Sequence, residues 1–307
     1  MEYALLEYAT ENIGDEIQSI AAKQYLPRVD RRIKRDYLSE YHGPKSKIIL
    51  NGWFSHIPEN WPPSPDLTPL FVSFHINDNS LDHYTSENSL NYFNRHAPIG
   101  CRDLRTAKIL RGYGVNSYFS GCLTLTLSNS YNKTNGKIYI VDLDNRSLAA
   151  IPSDILQNSE LLSHEPKATK PALETFAAGY LPSNILEFIN PIYKKTVKKY
   201  VHSSSITDTK MRIAQKYLNY YNRANLVITS RLHVALPCLA FETPVIFIHN
   251  DLADPRFGGL VKYLNAYTPN IFEQMSDDID YYNITNPGGV AKLSGQLKST
   301  FQEFIDQ

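Results

Sequence analysis

The sequence predicts an α/β protein of two halves, each a mainly parallel sheet layered with helices, facing one another across a cleft. Short apolar runs alternate with helical patterns along the chain, the signature of layered parallel sheets. A length of 307 residues suits two linked domains of roughly 150 residues better than one. The polar, turn-rich stretch from Ser128 to Gly136 breaks the alternation near the middle. The halves are therefore residues 1–130 and 131–307, the second closed by a terminal capping helix.

In order, Tyr3 to Tyr8 reads as a first strand, Asn12-Ile13-Gly14-Asp15 as its turn, and Glu16 to Tyr25 as an amphipathic helix ended by Pro27. Lys47 to Leu50 and Leu70 to Phe74 are further strands, separated by a proline-rich loop from Pro58 to Pro69. Asp103 to Tyr113 is a helix with Asp103 in its first turn, an apolar face of Leu104, Ala107, Ile109 and Leu110, and Gly112 and Gly114 at its end. Asn116 to Ser120 is a strand. In the second half, Lys137 to Leu143, Leu226 to Thr229 and Pro244 to Ile248 are strands. Lys210 to Arg223, Leu232 to Phe241 and Val290 to Ile305 are helices, and a shorter one is expected around Val261 to Leu264. The stretch from Gln157 to Tyr180 has too little periodicity to assign.

Composition narrows the class. Hydrophobic residues are 42% and charged residues 20%, enough for two proper cores. Lys+Arg and Asp+Glu are equal at 31 each, so no uniform basic field suggests nucleic acid. Cys101, Cys122 and Cys238 are far apart and form neither a CxxC nor a Cys/His metal spacing, which reads as reduced thiols. The N-terminus carries acids where an export signal carries a basic segment, and no run approaches the ~20 apolar residues of a membrane span. A cytoplasmic protein with no transmembrane segment is expected, peripheral membrane contact remaining open. Tyrosine numbers 21; its ring suits sugar stacking, and equally an amphipathic surface.

Open parallel sheets bind ligands beyond the carboxyl ends of their strands, so the residues there are the candidates for chemistry. The strongest block is Leu226-Val227-Ile228-Thr229-Ser230-Arg231-Leu232-His233, a buried strand running into a helix. Ser230 reads as the N-cap, with Arg231 and His233 in the first turn. A helix start offers unpaired N–H groups to an anion, Arg231 a planar fork for phosphate or carboxylate, and His233 a proton donor that titrates near neutrality. A surface arginine beside a packed histidine fits the pattern equally. In the first half, Asn12, Gly14 and Asp15 follow the first strand. Gly14 admits close backbone approach to a ligand, although simple helix capping explains the motif too. Asn51 and Trp53, then His75, stand at later strand ends; an exposed Trp53 can stack on a sugar, and His75 also reads as a structural histidine. Arg102 and Arg105, three apart on one helix face, can reach an anion across the cleft, and Arg256 lies in a loop near the same rim. There is no HExxH, GxSxG or GxxxxGK[ST]. The only DxD, Asp142-Leu143-Asp144, stands where an ordinary strand exits, so no metal is expected.

Taken together, these motifs resemble the polysaccharide pyruvyltransferase family over nearly the whole chain. They are Asn12-Ile13-Gly14-Asp15-Glu16, Arg102-Asp103, the Val227 to His233 block with Ala235-Leu236, Thr243-Pro244-Val245, and Asp254-Pro255-Arg256-Phe257. The resemblance implies two Rossmann-like domains arranged like glycosyltransferase type B, with phosphoenolpyruvate as donor substrate and a hexose or amino sugar as acceptor. It implies no cofactor. It places Arg231 and His233 at the donor site as catalytic residues, with Ser230 and Leu232 beside them and a further arginine, for which Arg102, Arg105 and Arg256 are candidates. Asn12, Gly14, Asp15, Asn51, Trp53 and His75 form the expected acceptor side, in the first half, and the second half the donor side. Gly121-Cys122-Leu123 stands where relatives often carry Gly-Asp-Pro. The expected partners are phosphoenolpyruvate and a sugar of a surface polysaccharide repeat unit, free or lipid-linked, with a pyruvate ketal as product. A nucleotide-sugar-dependent glycosyltransferase of the same fold and a non-catalytic glycan-binding protein are the alternatives.

Overall fold

The computed structural model describes residues 1–54, 56–129, 136–165 and 204–307. The linker stretch from Ser128 to Gly136 and the aperiodic stretch from Gln157 to Tyr180 fall largely outside them. Two all-parallel sheets are formed. The first contains β1 (Glu2–Glu7), β2 (Arg31–Lys34), β3 (Ser46–Phe54), β4 (Leu67–Ile76), β5 (Ile99–Cys101) and β6 (Ser117–Phe119), in the order β2-β1-β3-β4-β5-β6. The second contains β7 (Ile138–Val141), β8 (Ser159–Leu162), β9 (Leu226–Thr229), β10 (Val245–Ile248) and β11 (Asn265–Tyr267), in the order β11-β10-β9-β7-β8. Both are Rossmann-like, and together they form the bilobed α/β class that the sequence predicts.

The helices are α1 (Gly14–Lys23), α2 (Leu81–Tyr84), α3 (Glu87–Arg95), α4 (Leu104–Gly112), α5 (Asn145–Ala149), α6 (Ser153–Gln157), α7 (Ser204–Arg223), α8 (Leu232–Ala240), α9 (Pro269–Met275) and α10 (Val290–Asp306). Only a single 3₁₀ turn, Val261–Tyr263, occupies the place expected for a short helix near Val261. One apolar cluster joins the halves. Ile13, just before α1, and Ile17 and Ala21 of α1 pack with Leu218 and Tyr221 of α7 and Val234 of α8. A second cluster fills the far face of the first sheet and a third that of the second. Lys210 of α7 crosses between halves to a buried ion pair with Glu16, 2.5 Å away, and donates to the carbonyls of Tyr8 and Thr10.

Several elements differ from the sequence reading. β4 begins at Leu67 and includes Pro69, which had seemed to belong to a loop. β5 pairs β4 only at Phe74 and Cys101, so the early part of β4 is an edge where the missing proline N–H is harmless. β3 and β4 shift register between Leu50 and Gly52, with Gly52 at φ +92 and Ser73 at φ +57. The strands therefore continue beyond this bulge, which re-aims the side chains that follow it. The terminal helix α10 comes last in sequence but packs on the first half. Phe301 stacks on Tyr25 at 4.4 Å, and the carbonyl of Phe304 accepts from Lys47 Nζ at 2.7 Å, a cation at the negative end of the helix. Cys101, Cys122 and Cys238 are free and buried. Among the described residues no helix is long and apolar enough to cross a membrane.

Candidate active site

Strand order locates the site. In the first sheet the chain leaves β1 for β2 on one side and then β3 on the other; in the second it leaves β7 for β8 and then β9. Each reversal opens a crevice at the carboxyl ends of the two diverging strands. The two crevices meet in a cavity of about 510 Å³, lined from the first half by Thr10, Asn12, Asp15, Trp53, His56 and Arg102. From the second half it is lined by His164, the run Ser230 to His233, His249, Arg256 and Phe257.

On the second-half wall, β9 ends at Thr229 and α8 starts at Leu232, so Arg231, not Ser230, is the residue before the first helical turn. Ser230 Oγ donates instead to the Asp142 carbonyl at 2.5 Å, and the Arg231 N–H donates to Thr229 Oγ1 at 3.0 Å. The Arg231 guanidinium donates to Asp142 Oδ2 at 2.9 Å and Glu165 Oε1 at 3.2 Å. Asp142 adopts φ +52 at the end of β7, a left-handed backbone uncommon outside glycine. Its carboxylate also accepts from the His164 N–H at 3.0 Å. The DxD is thus structural: Asp142 anchors Arg231 and His164, and Asp144 caps α5 through the Ser147 N–H at 2.8 Å.

The two sequence motifs of the cleft meet at Gly14. A Cβ there would lie 3.0 Å from Asn12 Oδ1 and 3.3 Å from His233 Nδ1. A side chain there would press on Asn12 and His233, so glycine suits the close passage of His233 past α1. Asn12 Oδ1 accepts from the Gly14 N–H at 2.8 Å, and Asp15 accepts from Thr10 Oγ1 at 2.7 Å.

On the first-half wall, Arg102 follows β5 directly and precedes Asp103, the N-cap of α4, whose Oδ1 accepts from the Thr106 N–H at 2.8 Å. Arg102 therefore lies outside the helix and does not share a face with Arg105. Its side chain lines the cavity, whereas Arg105 turns away to pair with Asp78 and the Ile76 carbonyl. Arg102 is 3% exposed, and its Nε has no hydrogen-bond partner among the described residues. Burying a cation without an anion is unfavourable, and burial lowers the Arg102 pKa from its ordinary value. The Asp254 to Gly259 loop crosses from the second half, its Gly258 carbonyl accepting from the Leu104 N–H at 3.1 Å. Arg256 on this loop pairs with Asp254 at 2.5 Å.

His233 is held neutral. Burial, then Arg102, Arg256 and His75, lowers its pKa to about 3, and its Nε2 has no partner among the described residues. The sequence expectation of an imidazole titrating near neutrality fails here because burial first, and the surrounding cations second, disfavour the charged ring. His164 is likewise held down to about 3, chiefly by burial; its Nε2 lies 3.0 Å from Tyr221 Oη.

The remaining expected residues divide. Leu232 and Ser230 line the cavity beside His233, and Trp53 lines it from the opposite side. Asn51 does not: it is buried within β3, and its Nδ2 donates to the Gln18 carbonyl at 3.4 Å. His75 lies inside β4, its Nδ1 2.6 Å from Asp103 Oδ2, and lines an adjoining cavity. His164, His249, His56 and Thr10 escaped the sequence reading. Recognising β8 would have exposed His164, because it follows that strand by two residues.

The fold thus defines a bilobed α/β protein of two Rossmann-like parallel sheets with a cavity where their strand ends meet. The family model for polysaccharide pyruvyl transferase matches residues 12–251, and the chain belongs to that family. No curated protein matches it. Among solved structures it is similar to the S. aureus MnaA–UDP co-structure, at 11% identity and a TM-score of 0.44 over 100% of this chain and 97% of that one.

Proposed function

We propose that this transferase takes the enolpyruvyl unit of phosphoenolpyruvate and sets it on a sugar of a surface polysaccharide as a pyruvate ketal. The observation that carries the reading is Arg102, a buried cation whose Nε has no partner, lining one cavity with Arg231, Arg256 and His233. A small donor bearing both phosphate and carboxylate supplies the missing negative charge. Charge-assisted hydrogen bonds to Arg102 and Arg231 would hold it, and the start of α8 favours the phosphate.

The same electrostatics assign His233 its part. Burial, and after it Arg102 and Arg256, keep the ring neutral in the free protein. A bound dianion offsets the two arginines, raises the proton affinity of the ring and lets it exchange a proton with the donor. Protonation of donor C3 makes C2 electrophilic, a sugar oxygen bonds to C2, and the C2–O bond to phosphate then breaks with its electron pair leaving on phosphate. The oxygen of a second hydroxyl then bonds to C2 as its O–H bond breaks and the proton passes to the departed phosphate, which closes the ketal. Arginines beside the departing phosphate stabilise its growing charge. Asn12 and Asp15 line the cavity that this reading gives to the donor.

The test is a thermal melt with phosphoenolpyruvate or a UDP-sugar, followed by incubation with phosphoenolpyruvate and a glycoside panel. Stabilisation by phosphoenolpyruvate, phosphate release and a glycoside carrying a pyruvate ketal are expected. Stabilisation by the UDP-sugar alone would overturn the reading, as would glycoside binding without phosphate release.

A further inference from the structure

Beside the donor cavity lies a second one of about 400 Å³, within the ~300–1,000 Å³ range of small-molecule sites. Trp53 and Arg256 line both, so the two cavities adjoin at those side chains. Their chemistry differs. The donor cavity carries three arginines against one carboxylate, Asp15. The second carries Asp78, Asp251 and Asp254 against Arg105 and Arg256. Arg105 pairs with Asp78 and Arg256 with Asp254, while Asp251 makes no ion pair among the described residues and accepts from the Ala253 N–H at 2.9 Å. Such a site repels a second anion and offers carboxylate acceptors to hydroxyl groups.

Its inner wall is fixed by the bulge. Beyond the register shift, Trp53 of β3 stands directly opposite His75 of β4. The buried Arg35 guanidinium lies 5.3 Å from the Trp53 ring centroid and holds the indole in place. His75 is 3% exposed and donates through Nδ1–H to Asp103 Oδ2 at 2.6 Å. Because that bond uses the Nδ1 proton, the neutral ring carries its lone pair on Nε2. This is the pairing by which a carboxylate orients an imidazole as a general base.

We propose that this second cavity is the acceptor subsite, that it takes a neutral hexose residue on Trp53 with Asp251 accepting from its hydroxyls, and that His75 Nε2 receives the proton of the attacking hydroxyl. As the sugar oxygen bonds to donor C2, its O–H bond breaks and the proton passes to Nε2. Phosphate departs afterwards, and no oxidant or reductant is involved. The assignment rests on the reading above for the identity of the donor alone.

The experiment has two arms, both on the full chain. In the first, tryptophan emission is followed during titration with methyl hexosides and the corresponding methyl hexuronides. Saturable quenching by a neutral hexoside is expected, lost in Trp53→Phe, where Trp61 remains to report, and weakened about tenfold in Asp251→Asn with the phosphoenolpyruvate Kd unchanged. Equal binding of the hexuronide, full quenching in Trp53→Phe, or an Asp251→Asn affinity within twofold of wild type would each overturn the subsite. In the second arm, His75→Asn and His75→Gln are compared in transfer assays across pH. A drop of about 10²–10⁴-fold in kcat with loss of the acid limb is expected, at unchanged hexoside affinity; a surviving acid limb removes the base role. The first arm reads binding only, so a chain that binds hexosides yet transfers no pyruvyl group would sink the donor assignment and leave the sugar subsite standing.

Discussion

The two walls of the cleft present their arginines in opposite states. Arg102, from the first half, is 3% exposed and its Nε has no partner among the described residues. Arg231, from the second, has a side chain 34% exposed and is held by Asp142 and Glu165. One wall stores an unmet demand for negative charge; the other satisfies its demand with carboxylates that a ligand must displace. The difference teaches that exposure and sequence motif do not by themselves identify the residue that most needs an anion.

His233 sits between the walls and tests both. His233→Asn is expected to lower transfer by about 10²–10⁴-fold, the usual range for losing an acid–base group, with the melting temperature little changed. NMR titration sharpens this. The wild-type ring stays neutral down to about pH 3 in the free protein, and its pKa rises when phosphoenolpyruvate is bound. A free-protein pKa near 6.5 would show that neither burial nor Arg102 and Arg256 act on it.

Arg102→Met and Arg231→Met separate the walls directly. Each is expected to lower kcat/KM for the donor by about 10²–10³-fold, as for other removed anion-stabilising donors. Their effects on stability should have opposite signs. Arg102→Met removes a buried charge whose Nε has no hydrogen-bond partner among the described residues and leaves stability equal or higher. Arg231→Met strands Asp142 and Glu165 and lowers stability by about 1 kcal/mol. Parallel urea melts check the pair, and destabilisation by Arg102→Met would break the contrast.

Much of this wall structure was legible in the sequence. The Leu226 to Thr229 strand appears with the bounds read from its apolar run, because a short, fully buried parallel strand leaves an unbroken hydrophobic signature. Arg231, His233, Asn12 and Arg102 were found because strand ends in parallel sheets are where ligands bind. Whether an arginine is paired was not legible: Asp142 and Glu165 lie 89 and 66 residues from Arg231. The His233 pKa was missed for the same reason, since Arg102 and Arg256 reach it only through tertiary folding. β2 (Arg31–Lys34), β5 (Ile99–Cys101), β8 (Ser159–Leu162) and β11 (Asn265–Tyr267) escaped notice because charged, polar or glycine residues interrupt them, where β7, β9 and β10 carry apolar runs. The bulge that turns Trp53 and His75 is a backbone event at Gly52 and Ser73 without a distinctive motif.

The first wall also sets an acid limit on stability through His75. Burial, then Arg102, lowers its pKa to about 4, with Asp103 opposing. The unfolded chain takes up a proton near pH 6.5 that the folded chain refuses until about pH 4. The contribution of His75 is therefore complete above pH 6.5, declines as pH falls, and is gone below about 4. His164 and His233 act in the same sense. Glu16, raised to about 7 mainly by burial, acts in the opposite one: its contribution is complete below pH 4.5 and lost as pH rises through 7. Between pH 7 and pH 5, His75 should account for about 2 kcal/mol. His75→Asn is expected to shrink the difference between urea melts at those pH values by that amount, and an unchanged difference would remove His75 from the account.

The smallest effect tests the second wall alone. Glu165 is nearly half exposed and holds only one arm of Arg231, at 3.2 Å, while Asp142 holds Nε. Exposed pairs are worth roughly 0.2–1 kcal/mol, so a donor that displaces Glu165 loses little. Glu165→Gln should therefore tighten phosphoenolpyruvate binding by about two- to fivefold, with kcat unchanged because Asp142 still orients the guanidinium. Added salt should narrow the gap between variant and wild type, since it screens the charge that the substitution removes. Isothermal titration at two salt concentrations reads both effects. Weaker donor binding in Glu165→Gln would mean that Glu165 orients Arg231 for the donor, and the second wall would then be a preorganised clamp rather than one whose carboxylate must be displaced.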